Sequence, residues 1–118
     1  MDNKVCIWTD GAYSLSRNVA GCAFVAQHIK NGEMLKESSH SQTVVGTTSN
    51  RMELQAAIDG LRFVKRPWVI EIITDSTYLA NTINKWVSSF VRDKSRLNHD
   101  LMVILYDLMK YHKKVTAI

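Results

Sequence analysis

The first 45 residues alternate between apolar, β-branched stretches and residues that favour turns. The first stretch ends at Asp10–Gly11, a pair that predicts a turn, and the polar residues 12–19 are typical of a turn as well. Asn31–Gly32 is the kind of pair found at the tip of a two-residue hairpin. We therefore expect an antiparallel meander of three strands, at residues 4–9, 20–28 and 33–45.

Beyond residue 45 the apolar residues take up helical spacing. A run of N-cap residues (TTSN, 47–50) precedes a predicted helix over about 49–65, and Pro67 follows it as a stop. Either Asn98 or Asp100 is the expected cap of the last helix. The elements predicted after Pro67 are a strand at 68–74, a helix at 76–90, a charged connection at 91–96, an amphipathic helix at 98–112 and a strand at 114–118.

Three acidic residues stand at the ends of these elements. In a meander the third strand runs parallel to the first. The helix that follows must then run in the opposite direction, which lets the fourth strand run parallel to the first strand and lie beside it. Asp10 and Asp75 then follow the carboxyl ends of two parallel strands, and Glu53 lies in the first turn of the crossover helix at the same edge. Clustered carboxylates repel one another unless a cation such as Mg²⁺ neutralises them. The sequence therefore predicts a metal site, although Asp–Gly alone is often a turn and Asp–Ser alone often a helix cap.

Composition narrows the class of protein. With 118 residues, 46% of them hydrophobic, we expect a single domain over residues 1–118. There is no run of 18 apolar residues and no secretory h-region at the start, so we expect a cytoplasmic protein. Cys6 and Cys22 lie in apolar stretches and are expected to be buried thiols. The net charge of +4 is compatible with a phosphate-bearing partner.

The same residues resemble ribonuclease H, type 1. The resemblance implies an α/β, ribonuclease H-like fold whose five-stranded mixed sheet has three antiparallel strands followed by two parallel ones. It also implies hydrolysis of the RNA strand of RNA–DNA hybrids with Mg²⁺ or Mn²⁺ as cofactor, and it places catalytic metal ligands at Asp10, Glu53 and Asp75. The matching segments are IWTDG (7–11), TTSNRMELQAAIDGL (47–61), ITDSTYLANTINKW (73–86) and, more loosely, NHDL (98–101).

Contacts to the nucleic acid follow from the same resemblance. It implies a minor-groove segment, a pocket for a phosphate of the DNA strand, and an aromatic side chain beside the DNA backbone. Each position also has a structural interpretation, as a helix cap, a solvated charge or a core residue. The residues are Ser49 and Asn50 for the groove, Thr48, Arg51 and Asn98 for the phosphate, and Trp86 for the DNA backbone.

Two departures from the family keep other functions open. Arg92, Lys94 and Arg96 stand where many members have a longer basic protrusion, so we expect modest, salt-dependent affinity for hybrids. The family's histidine loop and terminal helix, which carries a fourth metal-binding carboxylate, have no match in the 118 residues. We therefore also expect an open sheet face that favours a homodimer or a protein partner. The alternatives are a nucleic-acid-binding or partner-binding module that cuts poorly and another nuclease, such as a resolvase.

Overall fold

A five-stranded mixed sheet with helices packed on it forms the fold. The structure, a computed structural model, describes residues 3–14, 19–45 and 48–118. The strand order is β3-β2-β1-β4-β5, with β1, β2 and β3 antiparallel and β1, β4 and β5 parallel. This confirms the predicted sheet. The strands are β1 (Asn3–Ser14), β2 (Val19–Lys30), β3 (Glu33–Val45), β4 (Val69–Ile73) and β5 (Lys114–Ala117).

The first hairpin is longer than the sequence predicted. The turn expected at Asp10–Gly11 is wrong, because β1 continues through both residues, with Asp10 opposite Ala23 and Gly11 opposite Cys22. Pairing with β2 supplies the backbone hydrogen bonds that the local sequence does not suggest, so tertiary context overrides the turn signal. Of the residues expected to form a turn, 12–14 belong to β1, Val19 begins β2, and 15–18 lie outside the described residues.

The other hairpin matches its prediction. Asn31 and Gly32 have φ values of 53° and 81°, so both occupy the left-handed region that a type I′ turn requires. A single irregularity between His28 and Ile29 shifts the register of β2 and β3.

Helix α1 (Ser49–Phe63) crosses the sheet and carries much of the core. It ends two residues earlier than predicted. Thr48 is its N-cap, and the threonine hydroxyl accepts a hydrogen bond from the Arg51 N–H at 3.3 Å. Thr47, predicted as part of the same cap, lies outside the described residues. A Cβ at Gly60 would lie 2.7 Å from Cγ2 of Ile7, so this glycine lets α1 approach β1 closely.

The helix predicted at residues 76–90 is interrupted. It consists of α2 (Thr77–Asn81), a π-helical turn (Thr82–Trp86) and α3 (Val87–Phe90), while Ser76 caps its start. Within the turn, the Thr82 hydroxyl donates to the Tyr78 carbonyl at 2.7 Å. The side chain of Asn84 pairs with both backbone groups of Ala117 at the edge of β5, at 2.9 Å each.

Helix α4 (His99–Tyr111) packs against α1 on the same face of the sheet. Asn98 precedes it with φ 66°, and its side chain makes no capping hydrogen bond. Asn98 therefore occupies the predicted N-cap position, but its side chain does not cap the helix because its amide is engaged by Arg51 and Tyr78 instead. None of the helices in the described ranges is long and apolar enough to cross a membrane. Cys6 and Cys22 are buried free thiols, as predicted.

Candidate metal-dependent active site

The topology brings two of the predicted acids to one cavity. The parallel pairing of β1 and β4 ends with Trp8 opposite Ile73, so Asp10 and Asp75 each stand two residues beyond that pair. Both carboxylates line an open cavity of about 390 Å³ at the carboxyl edge of the sheet. This is the edge at which α/β sheets place their sites.

Glu53 reaches the same edge from the fifth position of α1, just beyond its first turn. The absence of a side chain at position 11 eases this approach, because an added Cβ would lie 3.0 Å from Cδ and 3.1 Å from Oε1 of Glu53. The Gly11 backbone N–H donates to the Glu53 carboxylate. A glycine in β1 therefore makes the contact between the strand that carries Asp10 and the helix that carries Glu53.

Glu53 is the acid whose ionisation is most affected by this arrangement. Burial, followed by the charges of Asp75 and Asp10, raises the pKa of Glu53 to about 7, and the Gly11 N–H lowers it in part. Its Oε2 is buried and has no hydrogen-bond partner among the described residues. Asp10 and Asp75, in contrast, are exposed. The three carboxylates are thus close enough to interact electrostatically, and one of them has an oxygen that lacks a partner.

A divalent cation fits this donor set. A buried carboxylate oxygen without a partner is costly, and a hard cation that prefers oxygen ligands would satisfy it. The described residues contain no group of three His, Cys, Asp or Glu side chains already arranged around a metal position.

A second cluster surrounds Arg51 at the start of α1. Its Nη1 donates to Oδ1 of Asn98 at 3.2 Å, and Asn98 Nδ2 donates to the Tyr78 hydroxyl at 3.4 Å. Asp100 receives both forks of the guanidinium, from Nη1 at 3.0 Å and from Nη2 at 2.8 Å. The structure therefore brings together Arg51 and Asn98, as the resemblance implied, and adds the carboxylate of Asp100, which the sequence suggested only as a helix cap.

Two of the remaining predicted contacts lie around an adjacent groove. Asn50 and Trp86 line a cavity of about 470 Å³. Trp86 is 38% exposed and packs against Phe90, with ring centroids 5.6 Å apart. The alternative of a core tryptophan is therefore wrong. Thr48 and Ser49 are exposed, and Thr48 also serves as the helix cap.

The roles of three residues in these clusters, Gly11, Asp100 and Tyr78, were not predicted from the sequence. Gly11 was interpreted only as a turn residue, Asp100 only as a helix cap, and Tyr78 was not singled out. The looser NHDL match at 98–101 was the available signal for Asp100. No local signal connected Gly11 with Glu53, because the two residues are 42 positions apart and meet only once β1 and α1 are packed.

Comparisons with known proteins identify relatives of this chain. The RNase H family model matches residues 2–117. A ribonuclease H from Rickettsia typhi is 36% identical over 112 residues, which cover 92% of this chain and 68% of that protein. A ribonuclease H from Campylobacter concisus is 32% identical over 115 residues, covering 96% of this chain and 76% of that one.

Solved structures share the fold. A type 1 RNase H with the type 2 active-site motif superposes with a TM-score of 0.79 at 16% identity, covering 100% of this chain and 64% of that chain. A foamy viral protease-reverse transcriptase in complex with dsDNA gives 0.79 at 19% identity, covering 99% of this chain and 81% of that one.

The chain belongs to the ribonuclease H family, which confirms the predicted resemblance and fold. The family consists of hydrolytic nucleases that act on RNA–DNA hybrids and depend on divalent metal ions.

Proposed function

We propose that Asp10, Glu53 and Asp75 hold Mg²⁺ or Mn²⁺ and that hydrolysis of the RNA strand of an RNA–DNA hybrid takes place at this edge of the sheet. One observation carries the proposal. The buried Oε2 of Glu53 has no partner among the described residues, and two further acids act electrostatically on the same carboxylate. A binding surface for nucleic acid alone would gain nothing from negative charge at this position, because phosphates are repelled by carboxylates.

The chemistry requires both a cation and a water molecule. A divalent ion at these carboxylates would stabilise the charge that develops on the scissile phosphate and lower the pKa of an attacking water. In this proposal Glu53 supplies a carboxylate fixed by the Gly11 N–H, while the exposed Asp10 and Asp75 complete the ligand set. Water would attack the scissile phosphorus and form a new phosphorus–oxygen bond while the bond from phosphorus to the 3′-oxygen breaks, and the departing 3′-oxygen takes up a proton, so the products carry 5′-phosphate and 3′-hydroxyl ends.

Substrate binding is assigned to the polar and aromatic residues beside the acids. A hybrid duplex is recognised by its shape, its phosphates and its 2′-hydroxyls, which suits hydroxyl, amide and guanidinium groups. In this proposal one set of residues contacts the minor groove, another holds a DNA phosphate, and an aromatic ring packs beside the DNA backbone. These are Ser49 and Asn50, then Thr48, Arg51 and Asn98, and finally Trp86.

A cleavage assay tests the proposal. The two strands of a short hybrid carry different labels, and the variants Asp10→Asn, Glu53→Gln and Asp75→Asn are compared with the wild type in Mg²⁺ and in Mn²⁺. The control is Asp107→Asn, which removes the same charge from an exposed site that pairs with Lys110 on α4. We expect cutting of the RNA strand only, and each acid variant to lose at least about a hundredfold in rate, since even partners of metal ligands contribute about 10–100-fold.

Other outcomes identify the alternatives. Hybrid binding by the wild type with no cleavage in either metal would indicate a binding module. Cleavage of branched DNA with the hybrid left intact would indicate a resolvase. Equal rates in the acid variants and the control would remove the metal site from the mechanism.

Self-association and the compartment stay predictions. On the sheet face opposite α1 and α4, Trp8 is 48% exposed and donates to Gln27, and Lys4 pairs with Glu71. This face is therefore mixed in polarity, and sedimentation equilibrium over a wide concentration range tests whether it forms a dimer. The two buried free thiols suit the proposed cytoplasmic location, because that compartment keeps thiols reduced.

A further inference from the structure

The groove that holds Asn50 and Trp86 is lined by aromatic and uncharged polar side chains and by one cation. Phe90 and Arg96 also line this cavity of about 470 Å³. Its lining contains no carboxylate, whereas the cavity at the carboxyl edge of the sheet is lined by two. The groove therefore suits an anion, just as the sheet edge suits a cation.

The side chain of Arg96 is held in this groove by an aromatic ring. Cζ of its guanidinium lies 3.7 Å from the centroid of the Phe90 ring, and Phe90 packs in turn against Trp86. At this distance the flat face of the guanidinium contacts the ring. The N–H groups along the edge of the guanidinium remain available, and their fork geometry matches two oxygens of a phosphate.

The backbone of Arg96 is fixed as well. Its N–H donates to the Asp93 carbonyl at 3.0 Å, and its carbonyl accepts from the His99 N–H at 3.1 Å. The Asp93 carboxylate supports the same turn, since it accepts from the Ser95 N–H at 3.1 Å and from the Ser95 hydroxyl at 2.6 Å. Arg96 is thus preorganised, which reduces the conformational entropy that it would lose on binding a ligand.

Arg96 differs from the other two cations of the charged connection. Arg92, Lys94 and Arg96 are all exposed, but of the three only Arg96 lines this groove. In the described ranges no carboxylate lies within ion-pair distance of Arg96. Asp93 acts on it electrostatically, but the Asp93 carboxylate is hydrogen-bonded to Ser95. The Arg96 guanidinium is therefore free to bind an external anion.

We propose that Arg96, held over Phe90, binds a phosphate of the DNA strand of the hybrid, and that Arg92 and Lys94 do not make this contact. The inference rests on the proposed function for the choice of strand, since Trp86 is assigned to the DNA backbone and lines the same groove. It gives Arg96 an effect on substrate affinity and none on the chemical step, and it makes Phe90 a positioning residue.

Neutralising Arg96 tests the proposal. Binding of a fluorescently labelled RNA–DNA hybrid is measured in metal-free buffer with chelator, so that no cleavage occurs. We expect Arg96→Gln to bind about tenfold more weakly, because it loses charge-assisted hydrogen bonds to a phosphate. The dependence of log Kd on log salt should become shallower by about 0.9, the contribution of one phosphate contact to a duplex. Arg96→Lys should recover only part of the affinity, because lysine keeps the charge but lacks the fork.

Matched variants separate this contact from a general change in charge. Arg92→Gln and Lys94→Gln remove the same charge from the same connection, and each should change the affinity by less than about twofold, because salt screens charges that touch no phosphate. Phe90→Leu should weaken binding in the wild type but not in an Arg96→Gln background. In the cleavage assay Arg96→Gln should raise KM while kcat stays the same, and its melting temperature should match that of the wild type because the side chain is exposed.

Hybrids with one uncharged methylphosphonate in place of a phosphate identify the strand. At one position of the DNA strand this replacement should weaken binding by the wild type and leave binding by Arg96→Gln unchanged. No position of the RNA strand should behave in this way.

Three results would overturn the inference. Arg96→Gln could bind as tightly as the wild type, all three charge variants could lose affinity equally, or the position that depends on Arg96 could lie in the RNA strand. Binding that depends on Arg96 in the expected way, with no cleavage in Mg²⁺, would contradict the proposed function alone.

Discussion

Gly11 of β1 and Glu53 of α1 are in direct contact, and a side chain at position 11 would fit only if Glu53 moved. An added Cβ at position 11 would meet the Glu53 carboxyl carbon at 3.0 Å and the Glu53 backbone nitrogen at 3.1 Å. The contact fixes the glutamate relative to the strand that carries Asp10. A residue with no functional group of its own thereby sets the geometry of the candidate metal site.

Replacing Gly11 by alanine should therefore damage the site. The methyl group would have to push the Glu53 carboxylate or the start of α1 away, and we expect metal affinity and hybrid cleavage to fall by about 10–100-fold, as for other groups that orient metal ligands. Overpacking should also cost about 1–3 kcal/mol of stability. Cleavage kinetics measure the loss of activity, and urea unfolding measures the loss of stability. Gly21→Ala is the matched control, because its Cβ would meet nothing closer than the Gln42 carbonyl oxygen at 3.5 Å; equal effects at the two glycines would contradict the argument.

The raised pKa of Glu53 predicts an unusual dependence of stability on pH. Its pKa rises from 4.5 to about 7 on folding, so between these values the folded chain binds more protons than the unfolded chain. The contribution of this group to the free energy of unfolding therefore falls as pH rises through that window. Urea unfolding without metal should show this fall in the wild type and its loss in Glu53→Gln. Identical pH profiles for the two proteins would contradict the assignment.

Metal affinity should follow the same ionisation. A protonated Glu53 cannot serve fully as a ligand, so Mn²⁺ should bind more weakly at about pH 6 than at about pH 8, and binding at the lower pH should release a proton. Calorimetry in two buffers of different ionisation enthalpy measures the proton release. Binding that is independent of pH, with no proton released, would exclude Glu53 as a ligand.

His112 should be needed for stability. It is 4% exposed and joins two elements, since the Trp68 backbone N–H donates to its Nδ1 at 3.3 Å and its Nε2 lies 3.1 Å from the Leu61 carbonyl oxygen. His112→Ala leaves both backbone groups without a partner, at about 1–3 kcal/mol each. Urea unfolding should therefore show a loss of at least about 2 kcal/mol. Tyr111→Phe, which removes one exposed hydrogen bond to Lys65, should cost about 1 kcal/mol or less; an equal loss in both would refute the role of His112.

Asn84 should protect the end of β5. Its side-chain amide pairs with the N–H and C=O of Ala117 as a neighbouring strand would. Asn84→Ala should make the Ala117 amide exchange with solvent faster and should lower stability by about 1 kcal/mol, the net contribution of an ordinary hydrogen bond. Hydrogen exchange measures the rate at the Ala117 amide. The control Lys85→Ala, in the same π-helical turn, should leave that rate unchanged. An unchanged rate in Asn84→Ala would show that the hydrogen bonds between Asn84 and Ala117 do not protect the end of β5.

The sheet order and the three acids were predictable because each depends on a strong local pattern. Alternating apolar residues define the strands, and the helix after Thr48 forces a crossover that makes β1 and β4 parallel. Once that is established, Asp10 within β1 and Asp75 after β4 must each lie two residues beyond the last parallel pair of these neighbouring strands. Glu53 joins them because α1 begins at the same edge.

The rest depends on contacts between distant parts of the chain. The continuation of β1 through Asp10 and Gly11 is stabilised by pairing with β2, against a local turn signal. No residue pattern in the sequence predicted the π-helical turn at Thr82–Trp86. This turn places Asn84 beside Ala117 of β5. Asp100 looked like an ordinary surface acid because Arg51 lies 49 positions away in sequence.

The central claim, that Asp10, Glu53 and Asp75 form one metal site, is tested most directly by titrating Mn²⁺ into the protein in a calorimeter at about pH 8. The wild type and Asp107→Asn should bind with the same affinity, and Asp10→Asn, Glu53→Gln and Asp75→Asn should each bind at least about tenfold more weakly, because loss of a ligand should cost at least as much as loss of its orienting partner. Equal affinity in all five proteins would contradict the account.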